Sequence, residues 1–214
     1  MAWVRPDCRA AVAAQVTDNA MHAQVAAWLT ADRPLVVARQ QCGEALSNSI
    51  SVGLALPLAQ GKRRIALSVH THDIIRYTSP MLLADALAHA PAEWQPALAE
   101  LDAAATNIDI ELRVFGSLAW QALSGLNYLT PQSDIDLLWH PLSHTQLQQG
   151  IAMLTRWEQD HGLRADGEVL FGGSSAVSWR EWATLKSGEN QRVLVRRVSS
   201  AELVNARELL ELLV

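Results

Sequence analysis

Apolar residues recur at Met21, Val25, Trp28 and Leu29 within "NAMHAQVAAWLT", and this spacing of three to four residues predicts a helix. Pro34 ends the pattern, and "LVVAR" after it reads as a short strand rich in β-branched residues. "SVGLALPL" (residues 51–58) and "RIALSV" (64–69) are strand-like and joined through "AQGKR", as in a hairpin. The alternation of Ile65, Leu67 and Val69 gives the second strand one buried face. Beyond "RYTSP" the chain turns rich in alanine and leucine, and "MLLADALAHAPAEWQPALAELDAAAT" reads as two helices with a break near Pro91 and Pro96. Elements then alternate: strand "IELRVFG", helix "LAWQALSGL", strand "DIDLLW", helix "HTQLQQGIAMLTRWEQDHG", strand "LRADGEVLF", strand or turn "AVSWREW", strand "RVLVRRV", helix "SAELVNARELLELL". This order predicts an α/β (α+β) chain, with a small mixed N-terminal domain over 1–85 and a C-terminal sheet with flanking helices over 86–214.

Composition narrows the function classes. The 214 residues are half apolar, enough to bury a core in one or two domains. A net charge of −5 argues against a protein that coats nucleic acid, which needs a dense basic surface. No window reaches the roughly 20 uninterrupted apolar residues of a membrane span. Arg5, Asp7 and Arg9 stand where a signal peptide needs an apolar core, so the expected location is cytoplasmic. Cys8 and Cys42 match neither a zinc knuckle nor a disulfide scaffold and are expected as free thiols. The eight tryptophans are scattered and suit core or interface anchors.

The chemistry concentrates in "SDIDLLW". In a strand, Asp134 and Asp136 project from one face while Ile135 and Leu137 project from the other. Two carboxylates sharing one small volume repel each other unless cations lie between them, and Mg²⁺ is the common resolution. A bare D-x-D can also simply end an exposed strand. Upstream, "RVFGSLAWQALSGL" runs from a strand through Gly116 and Ser117 into a helix with the apolar ridge Leu118, Ala122 and Leu126. Glycine permits close backbone approach and free amides at a helix start favour phosphate; Ser117 suits a hydroxyl donor or a plain N-cap. In "LRADGEVLF", Asp166 and Glu168 share a face if the segment is extended, although Asp-Gly is also a turn signal.

Apolar-Gly-Ser followed by an apolar-flanked D-x-D resembles the nucleotidyltransferase superfamily related to DNA polymerase beta. More narrowly, "RVFGSLAWQALSGLNYL", "SDIDLLW", "DGEVLF", "AVSWREW", "GKRRIALSV" and "LLADALAHAPAEWQPAL" together resemble the phosphoribosyl-dephospho-CoA transferases that mature malonate decarboxylase, its holo-acyl-carrier-protein synthases. The resemblance implies a nucleotidyltransferase C-terminal domain, triphosphoribosyl-dephospho-CoA as donor, a serine of the malonate decarboxylase acyl-carrier protein as acceptor, and pyrophosphate as leaving group. It implies two Mg²⁺ ions, with Mn²⁺ as substitute, held by Asp134, Asp136 and a third carboxylate, with Asp166 slightly favoured over Glu168. It places the phosphates at Gly116 and Ser117.

Such a donor calls for cations. Arg180 and Lys186 rank first for the triphosphate because they follow the third carboxylate closely; Arg113, Arg192, Arg196 and Arg197 are further candidates. "GKRR" (61–64) reads as a solvated loop, "HTHD" (70–73) as structural rather than metal-binding, and "FGGSSA" (171–176) as a turn lacking the Lys-Ser/Thr of a P-loop. Two other functions fit the bare motifs: transfer of a nucleotide from ATP or another donor, and a non-catalytic nucleotide-binding module.

Overall fold

A computed structural model describes residues 1–38, 40, 48–185 and 191–213. Arg39, Cys42 and Lys186 lie outside the described residues. The chain divides into two units, Met1–Ser79 with Leu126–Tyr128, and Pro80–Gly125 with Leu129–Val214.

The first unit contains β1 (Ala2–Val4), α1 (Arg9–Ala13), α2 (Asn19–Thr30), β2 (Val36–Val37), β3 (Ser49–Ala55), β4 (Arg64–His70) and β5 (Ile74–Tyr77). Asp18 caps α2 by accepting the Met21 N–H at 2.9 Å, and Val25, Trp28 and Leu29 are buried at the expected spacing. Strands β2, β3 and β4 form an antiparallel sheet, with β3 and β4 paired from Ser49 opposite His70 to Ala55 opposite Arg64. Ile65, Leu67 and Val69 face inward and residues 61–64 are exposed, so "GKRR" is a solvated loop. The pair β1 and β5 was not anticipated, because three- and four-residue strands are too short to show a period.

"HTHD" serves the packing of this unit. Asp73 is buried, pairs with Arg5 at 2.9 Å and accepts a hydrogen bond from the Cys8 thiol at 3.0 Å. The thiol hydrogen bond holds the Asp73 carboxyl below its usual range, and the same bond pushes the Cys8 thiol up. Alkylation of Cys8 by iodoacetamide, followed by peptide mass spectrometry, is therefore expected to have a pH midpoint above that of a free thiol. In Asp73→Asn the midpoint should fall back.

The second unit runs β6 (Met81–Leu82), α3 (Leu83–Ala86), α4 (Gln95–Thr106), β7 (Arg113–Val114), α5 (Gly116–Ser124), β8 (Ile135–Trp139), α6 (His144–His161), β9 (Ala165–Phe171), β10 (Ser175–Ser178), α7 (Trp179–Ala183), β11 (Arg192–Arg196), β12 (Ala201–Asn205) and α8 (Ala206–Leu210). Among the described residues these strands make a seven-stranded sheet in the order β12-β11-β10-β9-β8-β7-β6. Neighbours are antiparallel except β8 and β9, which are parallel, and α6 supplies the crossover a parallel step requires. The mixed sheet with helices agrees with the expected α/β class. A boundary at 85/86 would cut α3, because Met81–Leu82 already pairs with β7; the units part at Ser79/Pro80.

Three local readings change. "AVSWREW" is strand β10 followed by helix α7, the turn into the helix coming at Ser178. The helix expected over "SAELVNARELLELL" is instead strand β12 followed by α8, since all five residues of β12 pair with β11 and Asn205 then caps α8 by accepting the Arg207 N–H at 2.9 Å. Helix α5 buries Leu118, Ala119 and Trp120 rather than the ridge through Leu126, which is exposed.

One sheet face is the core face. Ile135, Leu137 and Trp139 of β8, Ala165, Val169 and Phe171 of β9, and Val193 and Val195 of β11 are all buried. Helix α6 covers it with Leu147, Gly150, Leu154 and Trp157, and a Cβ on Gly150 would lie 2.5 Å from the Trp139 ring. Trp157 is tied to α4 through a 2.7 Å hydrogen bond from Nε1 to the Ala97 carbonyl. All eight tryptophans are buried, in keeping with core anchors. No helix among the described residues is long and apolar enough to cross a membrane.

Gly167 belongs to the strand expected over "LRADGEVLF" and not to the alternative Asp-Gly turn. It lies inside β9 with φ +126°, and a Cβ there would sit 1.9 Å from the Leu137 carbonyl oxygen of β8. Gly167→Ala is expected to cost about 2–4 kcal/mol through strain and forced separation of the strands, read as a lower urea midpoint.

Candidate functional site: a carboxylate face beside a helix start

The face opposite the core carries the acidic residues. In the parallel ladder Ile135 lies level with Ala165, Asp136 with Asp166 and Leu138 with Glu168. Paired residues share a face, so Asp136, Asp166 and Glu168 project together, with Asp134 one pleat upstream on the same side. All four are half-buried. The "ADGE" segment is therefore extended, and both candidates for the third carboxylate reach this face. Only Asp166 is level with Asp136. Carboxylates on adjacent strands about 5 Å apart repel by about 3 kcal/mol at an effective dielectric constant of 20, so the face attracts positive charge.

Gly116 and Ser117 open α5 directly beside these groups. Phe115 precedes the helix in extended backbone, and its N–H donates to the Asp136 carbonyl at 3.0 Å, which ties the helix start to β8. Gly116 has φ +62°, and a Cβ there would fall 1.8 Å from Asp136 Oδ2. The carboxylate of Asp136 thus occupies the space a side chain at 116 would fill. The first amides of α5 lack intrahelical partners by construction, so negative charge is favoured at this end. Ser117, half-buried, is the second residue of the helix.

Arginines pair with the other carboxylates. Arg164 Nε lies 3.5 Å from Asp134 Oδ1, and Arg196 Nη1 lies 3.1 Å from Glu168 Oε1. Arg180 Nε lies 3.9 Å from Asp166 Oδ1, while its Nη2 is bound to Glu158 and, at 2.6 Å, to the Ala165 carbonyl. Arg180 is therefore at the site but engaged with protein groups. Of the remaining candidates, Arg113 shares this face, being level with Leu138 of β8, but bonds the Pro80 carbonyl at 2.6 Å and pairs with Glu111; Arg192 bonds the Leu203 carbonyl at 2.8 Å, and Arg197 pairs with Glu202. Sequence reasoning missed Arg164 and Glu158. Arg164 was readable in principle, since it stands two residues before Asp166 just as Asp134 stands two before Asp136. Glu158 carried no local signal, being one of several polar residues on a long helix.

No group of three or more His, Cys, Asp and Glu side chains is placed to hold a metal ion among the described residues. The face offers instead the level pair Asp136 and Asp166, with Asp134 beside it. Such a pair fits Mg²⁺, which typically takes one or two carboxylates and completes its octahedron with phosphate oxygens and water.

Comparison with known proteins assigns the chain to a family in two adjoining parts. Residues 1–80 match the family described as the phosphoribosyl-dephospho-CoA transferase MdcG N-terminal domain, and residues 82–207 match the corresponding C-terminal domain. A phosphoribosyl-dephospho-CoA transferase of Xanthomonas campestris pv. campestris (strain 8004) is 40% identical over 204 residues, covering 95% of this chain and 92% of that one. One from Bradyrhizobium diazoefficiens is 34% identical over 191 residues, covering 89% and 82%. No solved structure matches. Matched in both its parts and across nearly its full length, the chain belongs to the MdcG family of phosphoribosyl-dephospho-CoA transferases.

Proposed function

We propose that the protein moves the phosphoribosyl-dephospho-CoA group from 2′-(5″-triphosphoribosyl)-3′-dephospho-CoA to a serine of the malonate decarboxylase acyl-carrier protein, by nucleotidyl-type transfer on the Asp136 and Asp166 face. The serine oxygen forms a bond to the phosphorus nearest the ribosyl group as its proton passes to the Asp166 carboxylate, the bond from that phosphorus to the bridging oxygen breaks, and pyrophosphate leaves with its electron pair. Family membership supports the donor and the transfer class. The observation that carries the site is the level pairing of Asp136 with Asp166 beside a helix start whose glycine is packed on Asp136.

Each group has a role in this reading. Asp136 and Asp166, with Asp134 beside them, would hold Mg²⁺, which when bound would acidify the serine hydroxyl and neutralise the leaving pyrophosphate. Asp166 is preferred to Glu168 as third carboxylate, because Glu168 lies level with Leu138 and is bound by Arg196. The α5 amides at Gly116 and Ser117 receive the terminal phosphates. The chain contributes position and charge and no covalent intermediate. The reaction is placed in the cytoplasm, where a free thiol such as Cys8 stays reduced.

Asp134→Asn and Asp136→Asn are expected to lower transfer by at least about 10³-fold with unchanged melting temperature. The readout is the mass of the carrier protein after incubation with purified enzyme, Mg²⁺ and the triphosphoribosyl donor. Full activity in either variant would remove that residue from the site. Modification with ATP in place of that donor would reassign the substrate, and no modification with either would remove the proposal. Gly116→Ala is a separate test: displacing Asp136 should cut the rate about 10²-fold or more while the chain still folds. Unchanged kinetics would mean that the close approach of Gly116 to Asp136 has no part in the reaction.

A further inference from the structure

Glu158 stands outside the transfer chemistry yet touches the groups that frame it. It lies near the end of α6, with its side chain 19% exposed. Its Oε1 accepts the Ala165 N–H at 2.7 Å and the Arg180 guanidinium. Arg180 Nη2 returns to the Ala165 carbonyl at 2.6 Å, so the two side chains clasp the first residue of β9 from both its polar groups. The guanidinium also lies over the Trp179 ring, 4.7 Å from its centroid. Its Nε is buried, makes no hydrogen bond, and stops 3.9 Å from Asp166 Oδ1. That oxygen accepts the N–H of Gly167 at 2.8 Å instead.

A buried, unpaired guanidinium N–H beside a carboxylate is drawn to close the gap, since about 1 Å separates the observed distance from an ordinary charged hydrogen bond. Glu158 opposes that movement. Building on the reading that Asp166 holds a divalent cation, we infer that Glu158 is a positioning residue: it holds the Arg180 guanidinium off Asp166 and so keeps that carboxylate available to the metal. Without the Glu158 charge, Asp166 is the nearest carboxylate to Arg180, and a close Arg180–Asp166 pair competes directly with the cation.

The test is Mn²⁺ binding to the full chain, measured from the electron paramagnetic resonance signal of free Mn²⁺ as protein is titrated in. Glu158→Gln is expected to bind Mn²⁺ roughly 10- to 100-fold more weakly, the usual effect of losing an outer-shell partner. The double variant E158Q/R180Q should recover most of that affinity, because the competing cation is gone. In transfer assays E158Q should raise the metal concentration needed for half-maximal rate and leave the rate at saturating metal near that of the unmodified protein. Wild-type affinity in E158Q, or a double variant as weak as the single one, would overturn the inference; the second result would leave the pair only a fastening for β9. Failure of the underlying reading looks different: Asp136→Asn would then bind Mn²⁺ as the unmodified protein does, or the unmodified protein would bind none.

Discussion

The parallel pairing of β8 with β9 is the constraint on which the site depends. Burial of Ile135, Leu137 and Trp139 beside Ala165, Val169 and Phe171 settles which face each strand turns inward, because a slip of one residue would bury the acids and expose the core. That argument leaves slips of two residues open. Gly167 favours the observed level, because its missing side chain lets the Leu137 backbone come close there. With Gly167 level with Leu137, Asp136 is level with Asp166. The placement of the carboxylates thus follows from packing on the far side of the sheet, where no functional selection on charge is needed.

The same logic runs from β8 to α5. Phe115 bonds the Asp136 backbone, so the turn at Gly116 cannot move independently of the strand that bears the acid. Positive φ at Gly116 and the contact with Asp136 Oδ2 are two separate demands for glycine at one position. A helix start and a carboxylate held this closely create opposite local fields within one small region: amides that favour anions and an acid that favours cations. Few ligands satisfy both, and a metal-bound polyphosphate is one.

Much of this could be read from residue order and some of it could not. Alternation in "DIDLLW" identifies the shared face of Asp134 and Asp136, and the following 18-residue helix with another strand suits a parallel step. "ADGE" was ambiguous because Asp-Gly favours turns, and the deciding fact, the Leu137 carbonyl against Gly167, is a contact between segments about thirty residues apart in sequence. "AELVN" resembled helix because leucine and alanine dominate its neighbourhood, while its pairing with β11 is non-local and overrides propensity. Arg180 was expected from proximity in sequence to be a free cation for phosphate. Its engagement with Glu158 depends on where the end of α6 meets the start of β9, which local pattern does not encode.

Charge on the face explains why metal ions belong in the proposed chemistry. Asp134, Asp136, Asp166 and Glu168, with Glu158 behind them, outnumber Arg113, Arg164, Arg180 and Arg196, and each of these arginines is within 4 Å of a carboxylate. The face is therefore net negative, and a triphosphate is strongly negative as well. Arginines already neutralised by protein acids cannot compensate for both. Exposed pairs such as Arg164–Asp134, with side chains 62% and 35% exposed, contribute at most about 1 kcal/mol each and would offer little resistance to the proposed cation. Weak pairs suit the state before the donor binds: they limit repulsion among the acids without closing the site. A tighter set of ion pairs would stabilise the free protein more and leave the carboxylates less available to the proposed metal.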